Sequence, residues 1–116
     1  MTIDWIREQC LALPHVTEDV KWRDNLVFSI GEKMFAITIL EPGAVWLSFK
    51  ASPEVFAELS ERPGIRPAPY LARAQWLAVE GPDAVDAREL LQLLRQAHGL
   101  VFSKLTKNAS ENWRDS

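Results

Sequence analysis

The stretch NLVFSIGEKMFAITIL, residues 25–40, decides the fold of this chain. Branched and aromatic residues dominate both of its halves, which is typical of β-strands. Gly31 and Glu32 separate the halves. A two-residue loop with glycine in its first central position is typical of a tight hairpin. The stretch therefore predicts two antiparallel strands joined by a hairpin turn.

Two further strands are predicted after this hairpin. The segment EPGA, residues 41–44, has Pro42 and Gly43 where a type II turn needs them, and AVWLSFK, residues 44–50, is strand-like. Loops this short cannot connect parallel strands, so residues 16–50 are expected to form an antiparallel meander of three strands. QWLAVE, residues 75–80, predicts a fourth strand.

Helices are predicted at both ends of the chain and between the strands. Thr2 caps the first helix, and Pro14 ends it. Its apolar stripe consists of Ile3, Ile6, Cys10 and Leu13. Ser52 and Pro53 begin a short helix, and Asp86 with Glu89 resembles the capping box of a long one. The apolar face of the long helix consists of Leu90, Leu94, Ala97, Val101 and Leu105. Its internal Gly99 is expected to allow close packing against the first helix.

Length and composition indicate one α+β domain. The chain has 116 residues, of which 47% are hydrophobic and 25% charged, as in ordinary globular proteins. We expect a single domain over residues 1–116, with a frayed tail from about residue 108. Helices at the two ends of a run of strands predict a twisted antiparallel sheet with both terminal helices on one face. The only cysteine, Cys10, favours a cytoplasmic location, and we recognise no signal peptide or membrane span.

Several segments resemble the MmcQ/YjbR-like family. They are VKWRDNLVFSIGEKMFAITIL at 20–40, WLSFKASPE at 46–54, RPAPYLARAQWLAVE at 66–80 and the helix end SKLTK at 103–107. The resemblance covers about residues 3–107, and GEKMFA and APYLARAQWLAV are its most specific parts. The chain departs from the family pattern at Arg23, where glycine is frequent, and at KLT, where KLP is usual.

The resemblance implies a fold like that of frataxin and CyaY, with two helices packed on an antiparallel sheet. It also implies DNA binding through a double-wing arrangement of hairpins. It implies no enzymatic activity. Fold and function are separable, so the functional implication is an expectation only.

Nine residues are candidates for a nucleic-acid or ligand site, because cations neutralise phosphate and aromatic rings stack on bases. They are Lys21, Trp22, Arg23, Lys33, Lys50, Arg66, Tyr70, Arg73 and Trp76. Arg66 and Arg73 are the residues most expected to carry function. Against DNA, the hairpin tips carry Glu32 and Glu41, and the net charge is −3. A purely structural interpretation is that Trp22, Trp46 and Trp76 cover the sheet, that Tyr70 satisfies its hydroxyl locally, and that the arginines are solvated or paired.

The same residues would also suit a groove for a small anionic ligand or for a protein. Arg73 would offer a bidentate fork to a carboxylate or phosphate, and Tyr70 or Trp76 a stacking face. An enclosed pocket would favour the small ligand, whereas an open cationic stripe would favour a polymer. We expect the protein to be a monomer.

Metal binding and catalysis are poorly supported by the sequence. Asp4 and Glu8 on the first helix, with Glu18 and Asp19 beyond it, are too sparse for a hard cation, so neither metal nor cofactor is predicted.

His15 and His98 have no nucleophile or orienting carboxylate at a recognisable spacing. His98 is expected to be half-buried and hydrogen-bonded. Cys10 lies on the apolar stripe of the first helix, so we expect its thiol to be buried and inert. We therefore expect no enzyme.

Overall fold

The computed structural model describes residues 2–22, 24–40, 45–69 and 71–113, with side chains as far as residue 104. Three α-helices are present there: α1 (Ile3–Leu11), α2 (Pro53–Leu59) and α3 (Ala87–Trp113). The strands are β1 (Val16–Lys21), β2 (Asn25–Ile30), β3 (Lys33–Ile39), β4 (Leu47–Lys50), β5 (Ile65–Pro67) and β6 (Trp76–Val79). Short 3₁₀ turns occupy Ala72–Ala74 and Pro82–Ala84. The predicted turn at 41–44 lies outside the described residues.

The six strands form one antiparallel sheet in the order β1-β2-β3-β4-β6-β5. The predicted α+β architecture is confirmed, but the prediction of three meander strands and one later strand missed β1 and β5. β1 is an edge strand whose sequence, VTEDVK, is mostly polar and exposed, so it lacks an apolar alternation. β5 has three residues and ends in Pro67, which makes it too short to give a pattern.

The predicted β2–β3 hairpin is confirmed. Ile30 pairs with Lys33 across the two-residue loop, and Gly31 has a φ of 62°. A bulge between Phe28 and Ser29 shifts the register of the two strands. A bulge of this kind increases the local twist of the sheet.

Both terminal helices pack on one face of the sheet, as predicted. Buried Cys10 of α1 and Leu94 of α3 share a core with Phe28, Phe49 and Leu77 from the strands. The predicted N-caps of the two terminal helices are present, as is that of α2 at Ser52. The backbone N–H of Trp5 donates to the Thr2 hydroxyl over 3.1 Å, and that of Glu89 donates to Asp86 Oδ1 over 2.8 Å. α3 continues to Trp113, so the expected fraying from residue 108 stays a prediction.

The other face of the sheet carries a smaller core, because the chain after β5 folds back over it. Val27, Ile37 and Ala78 from the strands are buried together with Ala68, Trp76 and the partly buried Leu71. The backbone N–H of Ala68 donates to the Trp76 carbonyl over 2.9 Å and ties the returning segment to β6. Much of the proline-containing segment 66–76 is therefore structural.

The prediction that Gly99 allows close packing of α3 against α1 is wrong. A Cβ atom built at Gly99 would meet nothing within 4 Å, so this glycine is not needed for a close approach of α1 to α3. The sequence shows an unusual residue inside a helix but not which side of the helix faces a neighbour.

Candidate functional site

A cleft of about 520 Å³ opens at the end of the sheet where the β2–β3 hairpin turns. Its lining residues come from the hairpin, β4, the segment before β6, and α3. They are Glu32, Lys33, Met34, Lys50, Leu71, Ala74, Trp76, Val101 and Lys104. Three of the nine predicted site residues, Lys33, Lys50 and Trp76, are thus brought together. We call this the lysine cleft.

The strands position the cations of the lysine cleft. Lys33 is the first residue of β3, directly after the hairpin loop. Lys50 is the last residue of β4 and pairs with Trp76, the first residue of β6. The Lys50 ammonium donates a hydrogen bond of 2.9 Å to the carbonyl of Ala74. This bond fixes the lysine head at the rim of the cleft.

The side chains that line the cleft carry more positive than negative charges. Partial burial and the nearby Lys104 ammonium lower the pKa of Lys50, with burial as the larger cause. The ion pairs among the described residues all involve arginines, so none of the cleft lysines has a carboxylate within 4.0 Å there. Glu32 is the one acidic residue among those lining the cleft. An anion in the cleft would lie among ammonium groups that have no carboxylate partner.

Lys21 and Trp22 do not join this site. They lie at the turn between β1 and β2, which is at the opposite end of β2 from the β2–β3 turn. Trp22 is 64% exposed, so the structural interpretation that it covers the sheet is wrong. Trp76, in contrast, is only 4% exposed and forms part of the cleft floor. Trp46 is half-buried against the main core.

The two arginines that the sequence favoured lie outside the lysine cleft. The Arg66 Nε on β5 is 4.0 Å from Glu80 Oε1, and both side chains are well exposed. Arg73 belongs to the 3₁₀ turn Ala72–Ala74 and is exposed, with no ion pair to any residue in the described part of the chain. The remaining two predicted residues, Arg23 and Tyr70, lie outside the described residues.

Sequence reasoning missed Lys104, although it belongs to the SKLTK motif, which lies within α3. No spacing rule connects a helix residue near position 104 with strand residues near positions 33 and 50. The signal that could have found it is the helix period, because Lys104 follows the buried Val101 by three residues and so lies next to it at the edge of the packed face.

The other titratable residues considered take part in internal contacts of the fold. His98 is buried, its Nε2 is 2.9 Å from the carbonyl oxygen of Pro14, and its ring stacks on Phe102. The prediction that His98 is hydrogen-bonded is confirmed, although the residue is more buried than expected. Burial raises the pKa of the Cys10 thiol to about 12. The Glu18 carboxylate accepts hydrogen bonds of 2.6 and 2.9 Å from Arg7 Nε, and these lower its pKa.

Neither a metal cluster nor a membrane helix is found in the described part of the chain. No three His, Cys, Asp or Glu residues converge there as metal ligands would. None of the described helices combines the length and the apolar character that crossing a bilayer requires.

The comparisons with known proteins decide the family. The family model YjbR matches residues 11–100. The chain belongs to the YjbR family. The crystal structure of Deinococcus radiodurans protein DR2400, with a DUF419 domain, is similar to this YjbR-family chain at a TM-score of 0.76 and 35% identity. That match covers 86% of this chain and 78% of the other.

A protein from Pseudomonas syringae shares the fold, with a TM-score of 0.70 and 23% identity over 87% of this chain and 99% of the other. No curated protein matches the chain. Neither solved structure is named for an activity.

Proposed function

We propose that this YjbR-family protein is a non-catalytic binding protein and that its lysine cleft takes a phosphate-bearing ligand of nucleotide size. The observation that carries the proposal is the set of three lysines, at 33, 50 and 104, around an apolar floor that includes Leu71 and Trp76. Lysine binds phosphate as a point charge, and pockets of several hundred Å³ are usual for small ligands. A cytoplasmic location belongs to the same proposal, since the single cysteine is a free, buried thiol.

The charge state of Lys50 supports an anionic ligand. Its pKa is lowered because the ammonium is partly buried and lies near Lys104, so the folded protein disfavours its charged form. A phosphate between Lys50 and Lys104 would favour both ammonium groups. Binding would then stabilise the folded protein, because the ligand relieves a repulsion that the empty cleft contains.

The same phosphate chemistry could come from a free nucleotide or from a DNA strand, and a cleft of about 520 Å³ favours the free nucleotide. The turns at the two ends of β2 are separated by a strand of six residues, which is roughly 20 Å long. The two turns therefore project in opposite directions, so Lys21 and Trp22 are too far from the lysine cleft to share one phosphate with it. DNA remains the second candidate because Lys21 and the largely exposed Trp22 are free to contact a strand.

The proposal is tested by titrating isotope-labelled protein with adenosine triphosphate, with a single-stranded oligonucleotide and with the matching duplex. We expect saturable amide shifts around Lys33, Lys50 and Lys104 with the nucleotide. Lys50→Met should weaken binding by about tenfold to a hundredfold, since hydrogen bonds to charged groups are worth about 1.5–3 kcal/mol. Arg95→Met is the matched control, because Arg95 is an exposed cation outside the cleft and its loss should change little.

Other outcomes would contradict the proposal. No saturable shift with the nucleotide would remove the lysine cleft as its site. Shifts centred on Lys21 and Trp22 with the oligonucleotides, and not with the nucleotide, would support the DNA candidate. In that case Lys21→Met should reduce the salt slope of binding by about one phosphate contact.

A further inference from the structure

The two edges of the sheet are protected differently. β5, at one edge, has three residues and ends in Pro67, with Pro69 two residues on. Proline cannot donate a backbone hydrogen bond, and short edge strands resist pairing with another chain. β1, at the other edge, has six residues and no proline. One row of its backbone N–H and C=O groups therefore has no neighbouring strand in the sheet.

Three exposed apolar side chains lie at the end of the sheet where β1 turns into β2. Val20 is 53% exposed, Trp22 64% and Leu40 42%. The backbone N–H of Leu40 donates to the Asp24 carbonyl over 2.7 Å, which places Leu40 at the same end of the sheet as the β1–β2 turn. Large exposed apolar groups that cluster are typical of interaction sites, whereas scattered ones are not.

We propose that this edge is a self-association surface, on which β1 of a second copy pairs with β1 in the antiparallel direction. A two-fold axis would then relate the copies, and one residue of β1 would face its own equivalent at the centre. The sheet would continue through the contact, so side chains that face each other must lie on the same face. Centring the pairing on Glu18, Asp19 or Lys21 would set two like charges against each other.

Centring the pairing on Val20 removes this conflict. Val20 then faces Val20 of the second copy. Asp19 of each copy faces Lys21 of the other, so the two-fold axis produces two such pairs. Asp19 and Lys21 lie on the same face of the sheet, because they alternate with Val20 along β1, and both are exposed. Opposite charges directly across a strand pair stabilise it. Glu18 is already neutralised by Arg7 and adds no unpaired charge.

The proposal is tested by the oligomeric state of the full chain. The contact is small, so we expect a dissociation constant on the order of 100 µM, visible by sedimentation velocity over a concentration series. Asp19→Lys alone and Lys21→Asp alone should each weaken the dimer by roughly tenfold, because two attractive pairs become repulsive. An equimolar mixture of these two variants should associate as a heterodimer, since every pair is again opposite in charge. The double exchange in one chain should restore the homodimer.

A matched control separates the register from a general charge effect. Arg95→Glu changes an exposed charge on α3, away from β1, and should leave the dimer unchanged. A chain that stays monomeric at every concentration would overturn the proposal. So would a dimer that either single charge change leaves intact, or a mixture that fails to form the heterodimer. A chain that is monomeric at every concentration would bear out the sequence-based expectation of a monomer. The nucleotide proposal uses other residues and is unaffected by any of these outcomes.

Discussion

Replacing Gly64 by alanine should destabilise the protein strongly. Gly64 precedes β5 and has a φ of 83°, where a residue with a Cβ atom is strained by about 1–2 kcal/mol. The added Cβ would also lie 2.8 Å from the Cβ of Ala84. Forcing an extra carbon into filled space costs about 1–3 kcal/mol. The two effects together predict a loss of about 2–5 kcal/mol in the free energy of unfolding.

Gly99 provides the matched comparison for the same chemical change. It lies inside α3, and an added Cβ would meet nothing within 4 Å. Helix propensity alone then decides the outcome, so Gly99→Ala should stabilise the protein by about 1 kcal/mol. The two glycine-to-alanine changes are therefore expected to have opposite signs.

Urea unfolding followed by circular dichroism measures both variants, and Ala84→Gly separates the two causes. In the Ala84→Gly background the close contact is gone, so Gly64→Ala should cost only the strain of about 1–2 kcal/mol. An equal cost in both backgrounds would show that Ala84 is not the obstacle. A neutral Gly64→Ala variant would refute both the strain and the contact arguments.

Two further predictions follow from buried or partly buried groups. The Cys10 thiol, with its pKa raised to about 12 by burial, should react with iodoacetamide at pH 8 only as fast as the protein opens, and rapid native-state labelling in a mass-spectrometric time course would contradict this. The lowered pKa of Lys50 means that the unfolded chain binds its proton more tightly. The free energy of unfolding of the wild type, relative to Lys50→Met, should therefore rise as the pH increases from the folded-state pKa toward 10.5. A constant difference between the two unfolding curves over that range would contradict the assigned burial.

Local signals predicted the parts of the fold that depend on neighbouring residues. The β2–β3 hairpin follows from Gly31 and Glu32, and the helix starts follow from Thr2 and Asp86, because caps and tight turns are determined within a few residues. β1 was missed because an edge strand buries little and so has no apolar alternation.

The candidate site was predicted only in part because its members are joined by the topology and not by the sequence. Lys33 and Lys50 come together since β3 and β4 are neighbours. Lys104 reaches them only because α3 passes the same side of the sheet at Val101 and Lys104. Arg73, in contrast, is conspicuous in the sequence but lies on an exposed turn outside the cleft. Residue type was a poorer guide to the site than the packing of α3.

The hydrogen bond from Lys50 to residue 74 has a consequence for how this cleft can diversify. The acceptor is the main-chain carbonyl of Ala74, an atom that every amino acid possesses. Residue 74 can therefore be exchanged for a larger or more polar one while the ammonium group keeps its anchor. Variants at this one rim position can change which molecules fit, without any redesign of the charge that attracts them.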